Sequence, residues 1–217
     1  MAEAREALLE AITEHDANTR SLFLRLAAPL AFRPGQFISC LLPIGGETLI
    51  RPYSIASRPE ESSRLELLFN RVPGGRGSRY LFGLRPGDPI HFTGPWGVFT
   101  LDRAPDGEAV FIAEDTAIAP VRPMLHRAAA TARHPLTLLH ATDQPLYHAE
   151  LAALRGVTVA VVPRAALLAE VERRWVRADS DRRRHFYLCG IGAVVLALRD
   201  CLRGAGYARR AVQYEKW

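Results

Sequence analysis

The chain has 217 residues, of which 48% are hydrophobic, and a formal net charge of +5. That is a globular composition, long enough for one large core or two smaller ones. It excludes a bilayer-spanning segment, because no apolar run reaches the roughly 18–20 residues that a span needs, and so modest a charge does not call for nucleic acid.

The first half reads as short strands between turn signals. Residues 21–26 alternate as a strand does. Arg33-Pro34-Gly35-Gln36-Phe37 is a turn into a strand over 38–42. Residues 43–47 turn again, and strands over 49–56, 64–70 and 88–93 follow. Strands this short, punctuated this densely by Gly and Pro, predict an antiparallel β-barrel. The rhythm changes at 103–108, a polar stretch with Pro105 and Gly107, so domains over 1–103 and 104–217 are expected. Beyond it, apolar and partly β-branched runs at 109–113, 136–141, 157–162 and 185–189 alternate with helical patterns at 121–133, 146–154, 167–177 and 194–203. A last strand runs over 211–214. Such alternation predicts a parallel sheet covered by helices on both faces, with ligands at the carboxyl ends of its strands. The expected fold is therefore a β-barrel domain followed by an α/β domain.

Three segments carry chemistry in the first half. In Arg51-Pro52-Tyr53-Ser54, an arginine offers a planar fork to a phosphate, a tyrosine offers a ring that can stack, and a serine offers a small donor. Period-two alternation puts Arg51 and Tyr53 on one face of the strand. Gly74-Gly75-Arg76-Gly77-Ser78 follows, a loop whose glycines let backbone N–H groups approach a diphosphate. Ser78 is expected to cap a helix starting near Arg79 and Tyr80. The third segment is Gly87-Asp88 and then Gly94-Pro95-Trp96-Gly97-Val98-Phe99.

In their order and spacing these segments resemble the ferredoxin–NADP reductase family. The resemblance implies FAD, with Arg51, Tyr53 and Ser54 at the flavin and its phosphates and with Gly74, Gly75 and Ser78 at the pyrophosphate. It extends through the second half. His185-Phe186-Tyr187-Leu188-Cys189-Gly190 is similar to the family's strand ending in Cys-Gly, where nicotinamide docks. The ending Tyr214-Glu215-Lys216-Trp217 is similar to the family's Glu–residue–aromatic terminus, whose aromatic covers the flavin. By resemblance Ser54, Cys189 and Glu215 form the polar trio at the reacting atoms, and Trp217 covers the ring. A hydride is expected to pass from NAD(P)H to the flavin, and single electrons to leave for a ferredoxin-like protein or an oxygenase component.

The nicotinamide loop departs from the family. Where relatives carry Gly-Gly-Thr-Gly-Ile-Ala-Pro, this chain carries Glu114-Asp115-Thr116-Ala117-Ile118-Ala119-Pro120. Thr116 and Pro120 remain as cofactor-side residues, but two carboxylates stand where a diphosphate would lie. At about 4 Å each would oppose a phosphate charge by roughly 1–4 kcal/mol. Asp143, after the strand over 136–141, argues against a 2′-phosphate and so for NADH over NADPH. The acidic loop equally suits a flavin-binding relay or regulatory subunit with a degraded nicotinamide site.

The widely spaced cysteines, Cys40, Cys189 and Cys201, fit neither a disulfide framework nor a metal cluster. The charged N-terminus lacks the apolar stretch of a signal peptide, so a cytoplasmic protein is expected. The positive excess is arginine, Lys216 being the only lysine, and it suits an acidic protein partner.

Overall fold

A computed structural model describes residues 3–102 and 104–217. The chain divides into two compact units, one reaching Thr100 and the other beginning at Leu101. The expected domain limits meet at Arg103, which lies outside the described residues.

The first unit is an antiparallel sheet of β1 (Arg5–Glu14), β2 (Thr19–Leu26), β3 (Phe37–Ile44), β4 (Glu47–Ser54), β5 (Arg64–Asn70) and β6 (Pro89–Trp96). Its order is β4-β3-β6-β1-β2-β5. Ile55, just past β4, pairs with Leu67 of β5, and the Ala56 N–H donates to the Glu66 carbonyl at 2.8 Å, so the two edge strands meet and the sheet closes. Inward side chains such as Leu22, Leu24, Ile38, Leu67 and Phe92 fill the barrel. The helix α1 (Arg76–Phe82) adds Leu81 and Phe82 to that core.

β1 has no counterpart in the sequence reading. Residues 5–14 are rich in Ala, Leu and Glu, all good helix formers. They form a strand because partners wait on both sides: Ala7 faces Leu26 of β2 and Ile90 of β6. Two ladders and an inward face outweigh weak local propensity. The burial follows period two at the center of the strand, with Ala7 and Leu9 buried and Leu8 turned outward.

The second unit is a parallel sheet of β7 (Ala109–Glu114), β8 (Leu136–Ala141), β9 (Val157–Val162), β10 (His185–Gly190) and β11 (Val212–Lys216), in the order β11-β10-β7-β8-β9. On one face Val110, Ile112, Phe186 and Leu188 pack against α4 (Leu167–Val171) and α5 (Gly192–Gly204). The other face takes α2 (Ile118–Thr131), with α3 (His148–Ala152) beside it at β9. The expected helix over 167–177 is α-helical only to Val171 and continues as a π-helical segment through Arg177, which seats Trp175 against Phe186. The order reverses between β7 and β10, which makes the crevice at their carboxyl ends the natural ligand site of such a sheet. Among the described residues no helix is long and apolar enough to cross a membrane.

The neighbours Leu8 and Leu9 test the strand assignment. Leu9→Ala empties a buried position and is expected to cost about 2–5 kcal/mol. Leu8→Ala, on the outer face, is expected to stay within about 0.5 kcal/mol of wild type. Urea melts of the two variants measure this; equal losses would mean that residues 5–14 are not a strand with one buried face.

Candidate functional site

In the first unit β4 carries Arg51, Tyr53 and Ser54. Arg51 and Tyr53 do share a face. A Cβ placed on Gly77 of α1 would sit 3.1 Å from Arg51 Cγ and 3.5 Å from the Tyr53 hydroxyl. Gly77 therefore lets the first turn of α1 close onto this face of β4, beside the arginine–tyrosine pair. The Tyr53 ring leans edge-on against Phe69 at 5.3 Å, and burial pushes its phenol pKa up, so it stays protonated. Arg51 is exposed and donates to the neighbouring Ile50 carbonyl at 2.8 Å. No carboxylate pairs with it among the described residues. Ser54 is buried at the last position of β4, opposite Phe37.

Gly74, with φ of 71°, occupies left-handed backbone at the start of the loop. Ser78 does not cap a helix that starts near Arg79. The helix begins at Arg76 with Gly75 as its N-cap, one turn earlier than expected. Ser78 lies inside that first turn, where its buried hydroxyl accepts the Val72 N–H at 2.9 Å. The reason is Gly77: the close approach to β4 needs helix already there. Ser78 thus holds the loop that presents Gly74 and Gly75. A guanidinium with no carboxylate partner among the described residues, a half-buried aromatic beside it, and a glycine loop leading into the helix that packs on both fit a flavin and its phosphates.

In the second unit the strand-to-helix turn after β7 is kept without glycine. Asp115 takes φ of 49°, a left-handed conformation that glycine favours and aspartate tolerates. Side chains hold it there. Buried His140 donates from Nε2 to the Asp115 carbonyl at 2.9 Å, and burial lowers its pKa, which keeps the ring neutral. The Thr142 hydroxyl donates to Asp115 Oδ1 at 2.9 Å. Arg164 Nη1 reaches Asp115 Oδ2 at 3.0 Å, and its Nε lies 3.4 Å from Glu114 Oε1. Thr116 is buried in this turn and Pro120 in the first turn of α2.

The two acidic side chains diverge. Asp115 turns toward Thr142 and Arg164. Glu114 is buried and reaches across to β10, where its Oε2 accepts the Ile191 N–H at 3.1 Å. A Cβ on Gly190 would meet Glu114 Cβ and Oε2 at 3.0 Å. The carboxylate thus fills the space that glycine leaves open beside the Cys-Gly strand end.

Cys189 is buried, and desolvation raises its thiol well above the usual range, so it is a neutral thiol. Across the ladder it faces Glu215 of β11. Desolvation lifts the Glu215 carboxyl to about 7, against a hydrogen bond with Trp217 that lowers it. The end of the chain is tied down: β11 runs through Lys216, and the Trp217 N–H donates to the Gly190 carbonyl at 3.2 Å. The Trp217 side chain is exposed.

Sequence reasoning read Gly77 only as a loop glycine and missed His140, Thr142 and Arg164. The expected parallel sheet held the signal for Arg164. In register, Glu114 lies beside Ala141, and Ala141 beside Val162, so a residue two places past Val162 shares the edge that holds the acidic loop.

A family model described as the oxidoreductase FAD-binding domain matches residues 6–101. Ferredoxin–NADP reductase B of Sorangium cellulosum is 32% identical over 100% of this chain and 98% of its own length. The chain belongs to the ferredoxin–NADP reductase family. It is an FAD-dependent oxidoreductase of that family. The reductase subunit of an aromatic O-demethylase from Amycolatopsis is 41% identical over 54% of this chain, a match that spans only 36% of that subunit. The fold is shared with a ferredoxin NADP+ reductase from Neisseria gonorrhoeae solved with FAD and NADP, at a TM-score of 0.84 and 20% identity over 100% of this chain and 99% of that one.

Glu215 gives a test of the site's electrostatics in this reductase. Its carboxyl titrates near 7 in the folded chain against an ordinary 4.5. Between those values the folded state holds a proton that the unfolded state has released. Stability should therefore be full at the acid end of that window and fall as pH rises through it. Glu215→Gln is expected to flatten that fall and to exceed wild type above pH 7, by at most about 3 kcal/mol. Thermal melts of both proteins from pH 4.5 to 8 read this directly; parallel curves would mean that the carboxyl is not desolvated.

Proposed function

We propose that this chain carries electrons from a reduced nicotinamide nucleotide to a separate ferredoxin-like protein or oxygenase component. The observation that carries the reading is the close packing of Gly77, in the first turn of α1, on Arg51 and Tyr53, in a member of this reductase family. In this reading the FAD-binding domain runs to about the 103/104 boundary and the nicotinamide-binding domain follows it. Arg51, Gly74 and Gly75 hold the phosphates of FAD, with Ser78 bracing the loop. Tyr53 stacks on the ring and Ser54 donates to its edge; Trp217 takes the ring-covering role that the family resemblance implies. When bound, FAD supplies the exchange between a two-electron donor and a one-electron acceptor. Thr116 and Pro120 line the nicotinamide side. Cys189 packs there as a neutral thiol, and Glu215, poised near neutral pH, holds or releases a proton beside it.

NADH is proposed over NADPH. Asp143 stands exposed just past β8, and Arg164 is already engaged by Glu114 and Asp115, so neither favours an added 2′-phosphate. The protein is placed in the cytoplasm, whose reducing conditions suit three free cysteines. A second reading, a flavin-binding relay or regulatory subunit, is favoured by Glu114, whose carboxylate fills the Gly190 cradle.

Anaerobic stopped-flow mixing of the FAD-loaded protein with excess NADH separates the two. Prompt bleaching of the flavin, faster than with NADPH, is expected. Reduction by dithionite but by neither nucleotide would leave the relay reading standing. The phosphate anchor is tested by Arg51→Ala, which removes a charge-assisted contact worth about 1.5–3 kcal/mol. The variant should lose FAD on dilution to nanomolar protein; full flavin retention would assign the anchor elsewhere. Trp217→Ser is expected to brighten flavin fluorescence and tighten nicotinamide binding, since a stacked aromatic worth about 0.5–1.5 kcal/mol beyond its area no longer competes. Emission as quenched as in wild type would leave Trp217 a purely structural end.

A further inference from the structure

The crevice between β7 and β10 already contains an anion, and the protein itself supplies it. Glu114 Oε2 accepts the N–H of Ile191, the residue that caps α5. The same side chain rests on Gly190, in the volume a Cβ there would take. On its other side Oε1 lies 3.4 Å from Arg164 Nε, and Arg164 Nη1 is anchored to Asp115 at 3.0 Å. Asp115 in turn is fixed by Thr142 and by His140. The Glu114 side chain is 6% exposed and that of Arg164 45% exposed, so the carboxylate is shut in while its clamp stays within reach of solutes.

We propose that Glu114 is an internal occupant of the nicotinamide crevice and sets its affinity: a dinucleotide enters only by displacing the Glu114 carboxylate from the Ile191 N–H. This rests on the reading that the second unit binds NADH. Three physical facts support it. A helix N-terminus attracts one anion at a time, and here the anion is tethered and always present. A diphosphate approaching the crevice meets a carboxylate of like sign in a partly desolvated place. The Arg164 clamp holds that carboxylate in a single orientation, so its local concentration at the N–H far exceeds that of any free ligand. Asp115 has a different part. It points away from β10 and fixes the turn, so removing it does not open the crevice.

The test compares Glu114→Gly, Glu114→Gln and Asp115→Gly with wild type, each loaded with FAD. NADH and NADPH binding is measured by equilibrium titration, and the Ile191 amide by hydrogen exchange. Glu114→Gly is expected to tighten NADH tenfold or more and to speed exchange at Ile191 tenfold or more. Glu114→Gln keeps the shape and loses the charge, and should tighten NADH by a smaller factor. Asp115→Gly should give no gain. If Glu114→Gly does not fold, the Gln variant decides alone, an unchanged affinity overturning the proposal. It is also overturned if wild type and Glu114→Gly bind NADH equally, or if the Ile191 amide exchanges at the wild-type rate in Glu114→Gly. Should neither wild type nor any variant bind NADH or NADPH, the nicotinamide reading itself fails and the proposal falls with it. That result is distinct from equal binding, which removes only the role of Glu114.

Discussion

The left-handed backbone at Asp115 fixes how β7 hands over to α2, and the surroundings of the crevice follow from it. A residue with a Cβ pays roughly 1–2 kcal/mol to stand in that conformation. Glycine would avoid the cost. In this chain the offset is distributed over side chains: a neutral buried histidine on the carbonyl, a threonine hydroxyl on one carboxylate oxygen and an arginine on the other. Each such hydrogen bond contributes about 0.5–1.5 kcal/mol net, and the half-exposed arginine at most about 1 kcal/mol. Their sum is comparable with the strain, so the same turn is made by different means.

That substitution has an electrostatic consequence. A glycine loop is a bare set of N–H groups, open to whatever anion arrives. The loop here arrives with two negative charges and one guanidinium that faces both. An ion pair with a half-exposed arginine adds at most about 1 kcal/mol of stability. Its effect on recognition is larger, because it decides which charges a ligand encounters. The first unit shows the reverse arrangement, since Arg51 has no carboxylate beside it among the described residues and donates only to the Ile50 carbonyl. One unit leaves a cation unsatisfied and the other brings its own anions.

Most of the fold was legible because its signals are local. Strands over 64–70, 136–141 and 157–162 have the observed limits, and the alternation of strands with helices in the second half did imply a parallel sheet. β1 was not legible. Its residues favour helix, and only the two partner strands, distant in sequence, make it extended. The start of α1 was missed for a related reason. A serine three residues past a glycine pair looks like an N-cap, but what sets the helix start is the fit of Gly77 against β4, a contact between segments more than twenty residues apart. In the site, Arg51, Tyr53 and Ser54 were readable because one strand carries them all. The division of labour between Glu114 and Asp115 was not, since adjacent residues in a sequence give no hint of which one turns toward which strand.

Gly190 and Glu114 are best understood as a pair. A glycine at the end of β10 leaves room beside it. Opposite, at 114, stands a side chain of just sufficient length to cross from β7 and meet the Ile191 N–H. Aspartate at 114 would fall a methylene short of that reach, and glutamine would retain the reach without the charge. The Cys-Gly end and the acidic loop are therefore not two separate facts, one supporting nicotinamide chemistry and the other opposing it. Gly190 is what allows the glutamate to lie in the crevice, and one hydrogen bond to the Ile191 N–H and one arginine contact then hold it there.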